Sequence, residues 1–220
     1  MIPWLAVIGI GEDGLDGLSP AARALVEQAE VLVGGQRHLT MIPDSVGAAE
    51  RLVWGTPFPN GVARVLERRG RRTCVLASGD PMWFGIGSVL ARNLPAEDML
   101  IVPQAGAFSL AAARLGWAIH ECAAVTVHGR PLELINLHLA ENAKLLILSE
   151  DGRSPARVAE LLRQAGYGPS RMVVFERLGG AHERCLEGLA AEWEADCHDL
   201  NTIAVECHAG AGTRGLSRLA

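Results

Sequence analysis

The chain has 220 residues, of which 49% are hydrophobic, and a formal net charge of −5. This length suits one large or two small domains with a sizeable core, and the acidic balance argues against a nucleic-acid surface, which asks for a basic face. No apolar run reaches the roughly 18 residues of a membrane span, and the first residues lack the positive segment of a signal peptide. We therefore expect no membrane or nucleic-acid partner.

Short apolar runs rich in Val, Ile and Leu alternate with helical patterns along the chain. They predict strands at residues 4–10, 31–33, 73–77, 99–102, 124–127, 144–148, 172–175 and 202–206. Such composition is typical of strands buried on both faces, and the alternation with helices favours an α/β protein with mainly parallel sheets.

Two helix starts carry the same Ser-Pro signal. Ser19 can cap a helix whose first residue is Pro20 and which runs to about Ala29. Ser154 repeats the signal before "ARVAELLRQAG", and Gly166 closes that helix.

The alternation is interrupted once, at "GWAIHECA", between the helix pattern ending near Leu115 and the strand beginning at Ala124. A domain boundary there predicts two α/β domains, at residues 1–117 and 118–220. Each would hold roughly 100 residues, which is an ordinary domain size.

The stretch "VIGIGEDGLDGLSP" places Gly9, Gly11 and Gly14 in a G-x-G-x-x-G pattern after the first strand. A nicotinamide site wants the helix to begin at the third glycine, so that its N-terminus faces the pyrophosphate. Here the helix signal comes later, at Ser19, and the loop carries three carboxylates that would repel that group, on Glu12, Asp13 and Asp16. This disfavours NAD(P) and leaves a structural turn or a loop for another ligand.

A second loop, "CVLASGDPMWFGIG", also follows an apolar strand. Gly79, Gly85 and Gly87 would let the backbone approach a ligand, and Asp80 would be an acceptor at the strand end, where ligands of open α/β sheets sit. The alternative is a tight turn in which Asp80 caps the following helix.

These two loops, together with "VPQAGAFSLAAARLGW", resemble in order and spacing the tetrapyrrole (corrin/porphyrin) methylases, a family of S-adenosylmethionine-dependent methyltransferases. The resemblance implies two α/β domains with the cofactor in a cleft between them, the first loop near the tetrapyrrole, the "GDP" loop at the cofactor, and a homodimer. The family's first loop commonly reads G-x-G-P-G, whereas Glu12 and Asp13 stand here in place of Pro-Gly.

The blocks "VTVHGRP", "LLILSEDGRSPARVAELLRQAG" and "VVFERLGGAHERCLEGLAAEW" resemble the branch that methylates a late corrin precursor, a precorrin, at carbon 5 in cobalamin biosynthesis. In some members this enzyme is fused to a second methyltransferase that also decarboxylates the ring. Two alternatives stay open: a methylase with another target carbon, and a non-catalytic docking domain for the second enzyme.

Site residues follow from the matched motifs. The resemblance places at the cofactor, S-adenosylmethionine or its product S-adenosylhomocysteine, the residues Gly79, Asp80, Gly85, Ile86, Ser109, Leu148, Leu178 and Thr202. Ser109 has a helix-start role as its alternative, and Leu148, Leu178 and Thr202 fit ordinary core or turn positions equally well.

The implied substrate is a polycarboxylate, which arginine grips through paired N–H donors. The candidate substrate-binding residues are Gly11, Glu12, Arg37, His128, Arg130 and Arg177. His128 is also the candidate proton acceptor in catalysis. For each arginine the alternative is a structural or solvated ion pair, and for His128 a structural histidine.

The five cysteines form no C-x-x-C pair, which predicts reduced thiols and a cytoplasmic protein. The adjacent pairs Cys197-His198 and Cys207-His208 lack the short ligand spacing of zinc sites, so we expect no metal.

Overall fold

The computed structural model describes residues 3–47, 50–54 and 58–213. The chain divides into two compact units, Met1–Gly106 and Ala107–Ala220. Each contains one five-stranded sheet with helices, which confirms the α/β class. Every strand predicted from an apolar run is present, and the described residues form two further strands.

The first sheet is built from β1 to β5, which span Leu5–Ile10, Val31–Gly34, Glu50–Val53, Thr73–Ser78 and Met99–Val102. Their order across the sheet is β3-β2-β4-β1-β5, and every pairing is parallel. All six residues of β1 are buried, as its apolar composition predicts for a central strand. The prediction of a parallel sheet is confirmed for this unit.

Helices lie on both faces of the first sheet. They are α1 to α4, at Pro20–Glu27, Gln36–Thr40, Phe58–Leu66 and Ile86–Leu90. Alternate side chains of a strand point to opposite faces: Ile8 packs in one apolar cluster with Val26 of α1, and Val7 packs in another with Val65 of α3 and Leu90 of α4. The sheet is therefore the middle layer of this unit.

The predicted start of α1 is confirmed. The Ser19 hydroxyl accepts the Ala22 N–H at 3.2 Å, and Pro20 occupies the first helical position. This satisfies one of the amide donors that a helix start leaves unpaired.

The second sheet is built from β6 to β10, which span Cys122–Thr126, Lys144–Leu148, Arg171–Glu176, Arg184–Leu189 and Asn201–Glu206. Its order is β6-β7-β10-β8-β9. Only β6 and β7 pair in parallel, whereas β7-β10, β10-β8 and β8-β9 are antiparallel. The prediction of a mainly parallel sheet is wrong for this unit, because the return strand β10 inserts between β7 and β8 in the opposite direction.

The units divide at Gly106, whereas the sequence predicted a boundary after Trp117. The helix α5, Ala107–Leu115, belongs to the second unit. Its buried Phe108 and Ala111 pack in one cluster with Leu146 of β7 and Phe175 of β8. The opposite face of the second sheet is covered by α6, Ser154–Gln164.

The start of α6 differs from the prediction. Ser154 is the first residue of the helix rather than its cap. Its hydroxyl accepts the N–H groups of Glu150 at 3.0 Å and Asp151 at 3.2 Å, so it fastens the preceding loop. The predicted end is confirmed by Gly166, which follows the helix with a positive φ of 83°.

The two unpredicted strands, β3 and β9, each form the edge of a sheet. The side chains of β9 are all exposed or half-buried, and its sequence lacks the apolar run that marks a central strand. Short 3-10 segments complete the fold, at Gly14–Gly17, Ala96–Asp98, Ile119–Glu121, Leu132–His138 and Ala190–Glu192. None of the helices in the described ranges is long and apolar enough to cross a membrane.

Candidate functional site

The first group of predicted residues lies at the carboxyl edge of the first sheet. Because β1, β2 and β4 are neighbours and parallel, the loops that follow them meet at one edge. Glu12 follows β1, Arg37 lies in α2 just after β2, and Asp80 follows β4. The structure thus brings to one edge loops that are separate motifs in the sequence.

Glu12 and Arg37 form an ion pair. Nη1 of Arg37 donates to Oε1 of Glu12, and the Glu12 side chain is 18% exposed. Both residues were predicted to bind substrate independently. In this structure they contact each other through Nη1 of Arg37, and Nη2 is also engaged, whereas the Nε–H of Arg37 has no hydrogen-bond partner among the described residues and stays available to a ligand.

Two further residues, which the sequence analysis missed, complete this cluster. Nη2 of Arg37 donates to Oγ of Ser78 at 2.9 Å. Nε2 of His38 lies 3.0 Å from Nη2 of Arg37 and 2.9 Å from Oγ of Ser78. The available signals were weak: an exposed serine ending a buried strand, and a histidine next to the chosen arginine.

The environment of His38 favours its neutral form. Burial and the neighbouring Arg37 charge lower its pKa from 6.5 to about 4. Its Nδ1 atom is buried without a hydrogen-bond partner within the described residues. Because an arginine nitrogen can only donate, Nε2 must act as an acceptor.

Glycines in the second loop serve packing within the first unit. At Gly79, with φ of +54°, an added Cβ would lie 2.5 Å from the Cα of Gly106 in the loop after β5. At Gly85, it would lie 2.6 Å from the carbonyl oxygen of Pro81. An added side chain would meet another loop at Gly79 and the backbone of the same loop at Gly85, which is a different reason from the ligand approach that we inferred from the sequence.

Asp80 shapes its own loop. Its Oδ1 accepts the Met82 N–H at 2.8 Å, a side-chain turn typical of aspartate. It does not cap α4, whose N-terminal capping position is Gly85. The next three side chains, Met82, Trp83 and Phe84, are between 42% and 46% exposed.

Two other predicted residues of this unit have local roles. Gly11 flanks the carboxylate of Asp13, with the position of an added Cβ 2.6 Å from Oδ1. Ile86, the first residue of α4, packs half-buried against the apolar cluster beneath the sheet. The first loop is also tied to the loop after β5, since Nε2 of Gln104 donates to the Gly17 carbonyl at 2.7 Å.

The second group of predicted residues lies at one edge of the second sheet, where β6, β7 and β8 end and β10 begins. Leu148 and Thr202 are cross-strand partners there. Leu148 and the buried Leu178 pack in the apolar cluster under α5, as their core alternative predicted. Ser109 lies exposed on α5.

His128 and Arg130 lie on an exposed turn after β6. The His128 N–H donates to Oγ1 of Thr126 at 3.2 Å, and the Arg130 N–H donates to the Val127 carbonyl at 3.3 Å. Gly129 between them has a positive φ of 63°. The backbone of the turn is fixed, and both side chains reach the surface.

Arg177 follows β8 with an unusual positive φ of 48°. Its Nη2 lies 2.8 Å from Nε2 of His198, and its N–H donates to the Leu200 carbonyl at 3.0 Å. A cavity of about 420 Å³ opens beside it, lined by Glu176, Arg177, His182, Arg184, Asp196, Cys197 and His198. Apart from Arg177, the sequence predicted none of these residues as site residues.

All five cysteines are free thiols. Burial raises the pKa of Cys74 and of Cys207 to about 12, so neither is a thiolate at neutral pH. Among the residues that the structure describes, no three His, Cys, Asp or Glu side chains are grouped to hold a metal ion.

Known proteins resemble this chain over most of its length. The model of the tetrapyrrole (corrin/porphyrin) methylases matches residues 5–194. A precorrin-6Y C(5,15)-methyltransferase [decarboxylating] from Sinorhizobium is 44% identical over 213 residues, which are 96% of this chain and 51% of that protein. A cobalt-precorrin-7 C(5)-methyltransferase from Salmonella typhimurium is 31% identical over 201 residues, which are 91% of this chain and 98% of that protein.

Among solved structures, a cobalamin biosynthesis precorrin-6Y methylase from Archaeoglobus fulgidus superposes with a TM-score of 0.69 at 28% identity, covering 93% of this chain and 98% of that one. The fold is shared with a uroporphyrin-III C-methyltransferase from Thermus thermophilus in complex with S-adenosylhomocysteine, with a TM-score of 0.70 at 20% identity, covering 92% of this chain and 96% of that one. The chain spans about half the length of the Sinorhizobium relative. Over residues 5–194 it is a member of the tetrapyrrole (corrin/porphyrin) methylase family.

Proposed function

We propose that the chain transfers a methyl group from S-adenosylmethionine to carbon 5 of a reduced corrin precursor in cobalamin biosynthesis. The observation that carries this proposal is the match to nearly the whole of the Salmonella C(5)-methyltransferase, alongside the stronger match to half of the longer Sinorhizobium enzyme. The same region of sequence therefore makes up nearly all of a protein named as a C(5)-methyltransferase and about half of one named as a C(5,15)-methyltransferase.

The loop after β4 fits the proposed cofactor. Asp80 is half-buried, and Oδ2 has no hydrogen-bond partner in the described part of the chain, so it can accept from a hydroxyl or amine. Exposed Met82 and Trp83 offer apolar surface next to it. The cofactor contacts of Gly79, Asp80, Gly85 and Ile86 in the first unit, and of Ser109, Leu148, Leu178 and Thr202 in the second, remain predictions.

S-adenosylmethionine, when bound, supplies an activated methyl group on a positively charged sulfur. The protein's main task is to align donor and acceptor, which contributes through positioning rather than through a covalent intermediate. Arg37, Arg130 and Arg177 are the proposed receptors for the carboxylates of the corrin precursor, with Gly11 and Glu12 in the adjoining loop. His128, exposed on its turn, is the proposed acceptor for the proton that the ring loses.

We also propose that the chain forms a homodimer in the cytoplasm and works beside, or fused to, a second methyltransferase that decarboxylates the ring. A closed two-fold dimer is the commonest assembly of soluble proteins. Sedimentation at tens of micromolar tests the dimer; a single monomeric species would contradict it.

Incubation with S-adenosylmethionine carrying ¹³C in its methyl group, together with late precorrins, tests the function. We expect one new ¹³C methyl resonance at carbon 5. Label at another carbon would favour the alternative target. Cofactor binding without methyl transfer to any precorrin would favour the docking alternative. NAD titrated under the same conditions is the negative control, because the acidic first loop disfavours a pyrophosphate.

A further inference from the structure

The strongest unassigned feature is the side chain of His38, at the carboxyl edge of the first sheet. Nη2 of Arg37, Nε2 of His38 and Oγ of Ser78 form a closed triangle, with separations of 3.0, 2.9 and 2.9 Å. Glu12 holds the other terminal nitrogen of Arg37. The guanidinium is thus fixed by three side chains: Glu12 from the first loop, its neighbour His38 in α2, and Ser78 at the end of β4.

The donors and acceptors of this triangle can be assigned. Nη2 of Arg37 carries two protons and can donate one to His38 and one to Ser78. The Ser78 hydroxyl accepts from Arg37, and its own proton can only share with Arg37 the single lone pair of Nε2 of His38. Nε2 must then lack a proton, and the ring proton resides on Nδ1. His38 therefore works as a neutral acceptor.

The base of the His38 side chain packs against β2. An added Cβ at Gly34, the end of that strand, would lie 3.4 Å from both Cβ of His38 and Cβ of Leu76. The groups facing the ring are Arg37 from α2 and Ser78 from β4, with Glu12 from the first loop reaching it through Arg37. Arg37 and Glu12 are the charged members of this set.

We propose that His38 is a positioning residue for the methyl-acceptor substrate: its Nε2 atom and Ser78 hold the Arg37 guanidinium at the edge of the first sheet, oriented to receive a carboxylate of that substrate. This inference rests on the proposed function, which supplies the carboxylate. His38 itself does not contact the reacting atoms. Because His38 helps to fix the Arg37 rotamer before the substrate binds, Arg37 loses little conformational freedom on binding.

The proposal predicts different effects for substitutions of His38, depending on whether they keep an acceptor atom at the position of Nε2. In His38→Gln the amide oxygen can occupy the place of Nε2, whereas the shorter His38→Asn reaches only the place of Nδ1, and His38→Leu keeps apolar bulk without an acceptor. We expect His38→Leu and His38→Asn to raise KM for the precorrin about tenfold or more, as loss of a hydrogen bond to a charged group predicts. His38→Gln should restore most of that loss, with kcat and cofactor affinity near wild type in all three.

A second measurement needs no substrate. Because the folded-state pKa of about 4 lies below the ordinary 6.5, protonation favours the unfolded chain, so stability should fall as the pH drops from 6.5 towards 4. His38→Gln should flatten the dependence in that window. NMR of the ring nitrogens should show Nε2 unprotonated at neutral pH.

The outcomes separate this inference from the proposed function. Suppose that wild-type protein methylates no precorrin, while NMR and the pH dependence of stability match the expectations for His38. The proposed function then fails, and with it the role of Arg37 as a carboxylate receptor, but the hydrogen bonds of His38 to Arg37 and Ser78 are supported. If wild-type protein turns over and His38→Leu keeps a wild-type KM, the positioning role is overturned. A proton found on Nε2 at neutral pH would overturn it as well.

Discussion

The two units of this chain present their arginines in different ways. At the edge of the first sheet, Arg37 is held by Glu12, Ser78 and His38. At the edge of the second sheet, Arg130 projects from an exposed turn, and Arg177 contacts His198. In the all-parallel first sheet, neighbouring strands end together and their loops pack on one another. In the mixed second sheet, β10 runs the opposite way and begins where its neighbours end.

Under the proposed function, Arg37 is a receptor whose side chain is already held by its neighbours, whereas Arg130 extends from an exposed turn. A fixed arginine loses little conformational freedom on binding, whereas an exposed one loses more. The following changes test this difference, beginning with the largest expected effect.

Phe108→Ala tests which of the two units α5 packs with. Its buried ring packs against β7 and β8, so removing it should lower the free energy of unfolding by about 3–5 kcal/mol. Hydrogen exchange should show lost protection in β7, β8 and β10. The exposed neighbour Ser109→Ala is the control, with an expected change within about 0.5 kcal/mol. Loss of protection first in β1 and β4 would contradict the assignment of α5 to the second unit.

Gly79→Ala tests the loop packing of the first unit. The new methyl group would meet the backbone of Gly106 and force a positive φ on alanine, costing about 2–4 kcal/mol in urea unfolding. Gly70→Ala is the matched control, because its φ is +90° and nothing lies within 4 Å of the added Cβ. We expect about 1 kcal/mol there. Equal losses at the two positions would mean that the contact with Gly106 contributes nothing.

Asp80→Ala and Arg130→Ala should fail differently. Loss of the Asp80 carboxylate should weaken cofactor binding by about 10- to 100-fold, since it removes both the turn to Met82 and an acceptor. Arg130→Ala should leave cofactor affinity near wild type and raise KM for the precorrin. Calorimetry and steady-state kinetics on each variant measure this. Equal loss of cofactor affinity in both would contradict the assignment, and an unchanged KM in Arg130→Ala would return Arg130 to a structural role.

Ser154→Ala and Ser19→Ala compare the two Ser-Pro helix starts. Ser154 is buried and accepts two loop N–H groups, so its loss should cost about 1–3 kcal/mol. Ser19 is exposed and caps α1 through one bond, so about 0.5–1 kcal/mol is expected. Thermal or urea unfolding measures the loss of unfolding free energy in each variant. A larger loss in Ser19→Ala than in Ser154→Ala would show that the buried hydroxyl of Ser154 is dispensable.

The sequence named candidate site residues whose roles stay predictions, but it did not reveal the contacts among them. Arg37 was predicted as a site residue because arginine binds carboxylates, and Glu12 because the family resemblance places the first loop near the tetrapyrrole. Their mutual ion pair was not foreseen, because it joins two loops that are 25 residues apart. Ser78 lies 40 residues from His38, and only weak sequence signals marked either one.

The sequence by itself determined the α/β class, the central strands, the start of α1 and the family, because buried apolar runs and capping residues act locally. Only the tertiary structure decided the edge strands β3 and β9, whose half-exposed side chains carry no apolar run. It also decided the direction of β10, since either direction would bury the same side chains. The unit to which α5 belongs was decided in the same way, by the sheet whose apolar surface its buried face covers. The cluster of Glu12, Arg37, His38 and Ser78 exists for the same reason: its hydrogen bonds join loops that only the parallel pairing of β1, β2 and β4 brings to one edge.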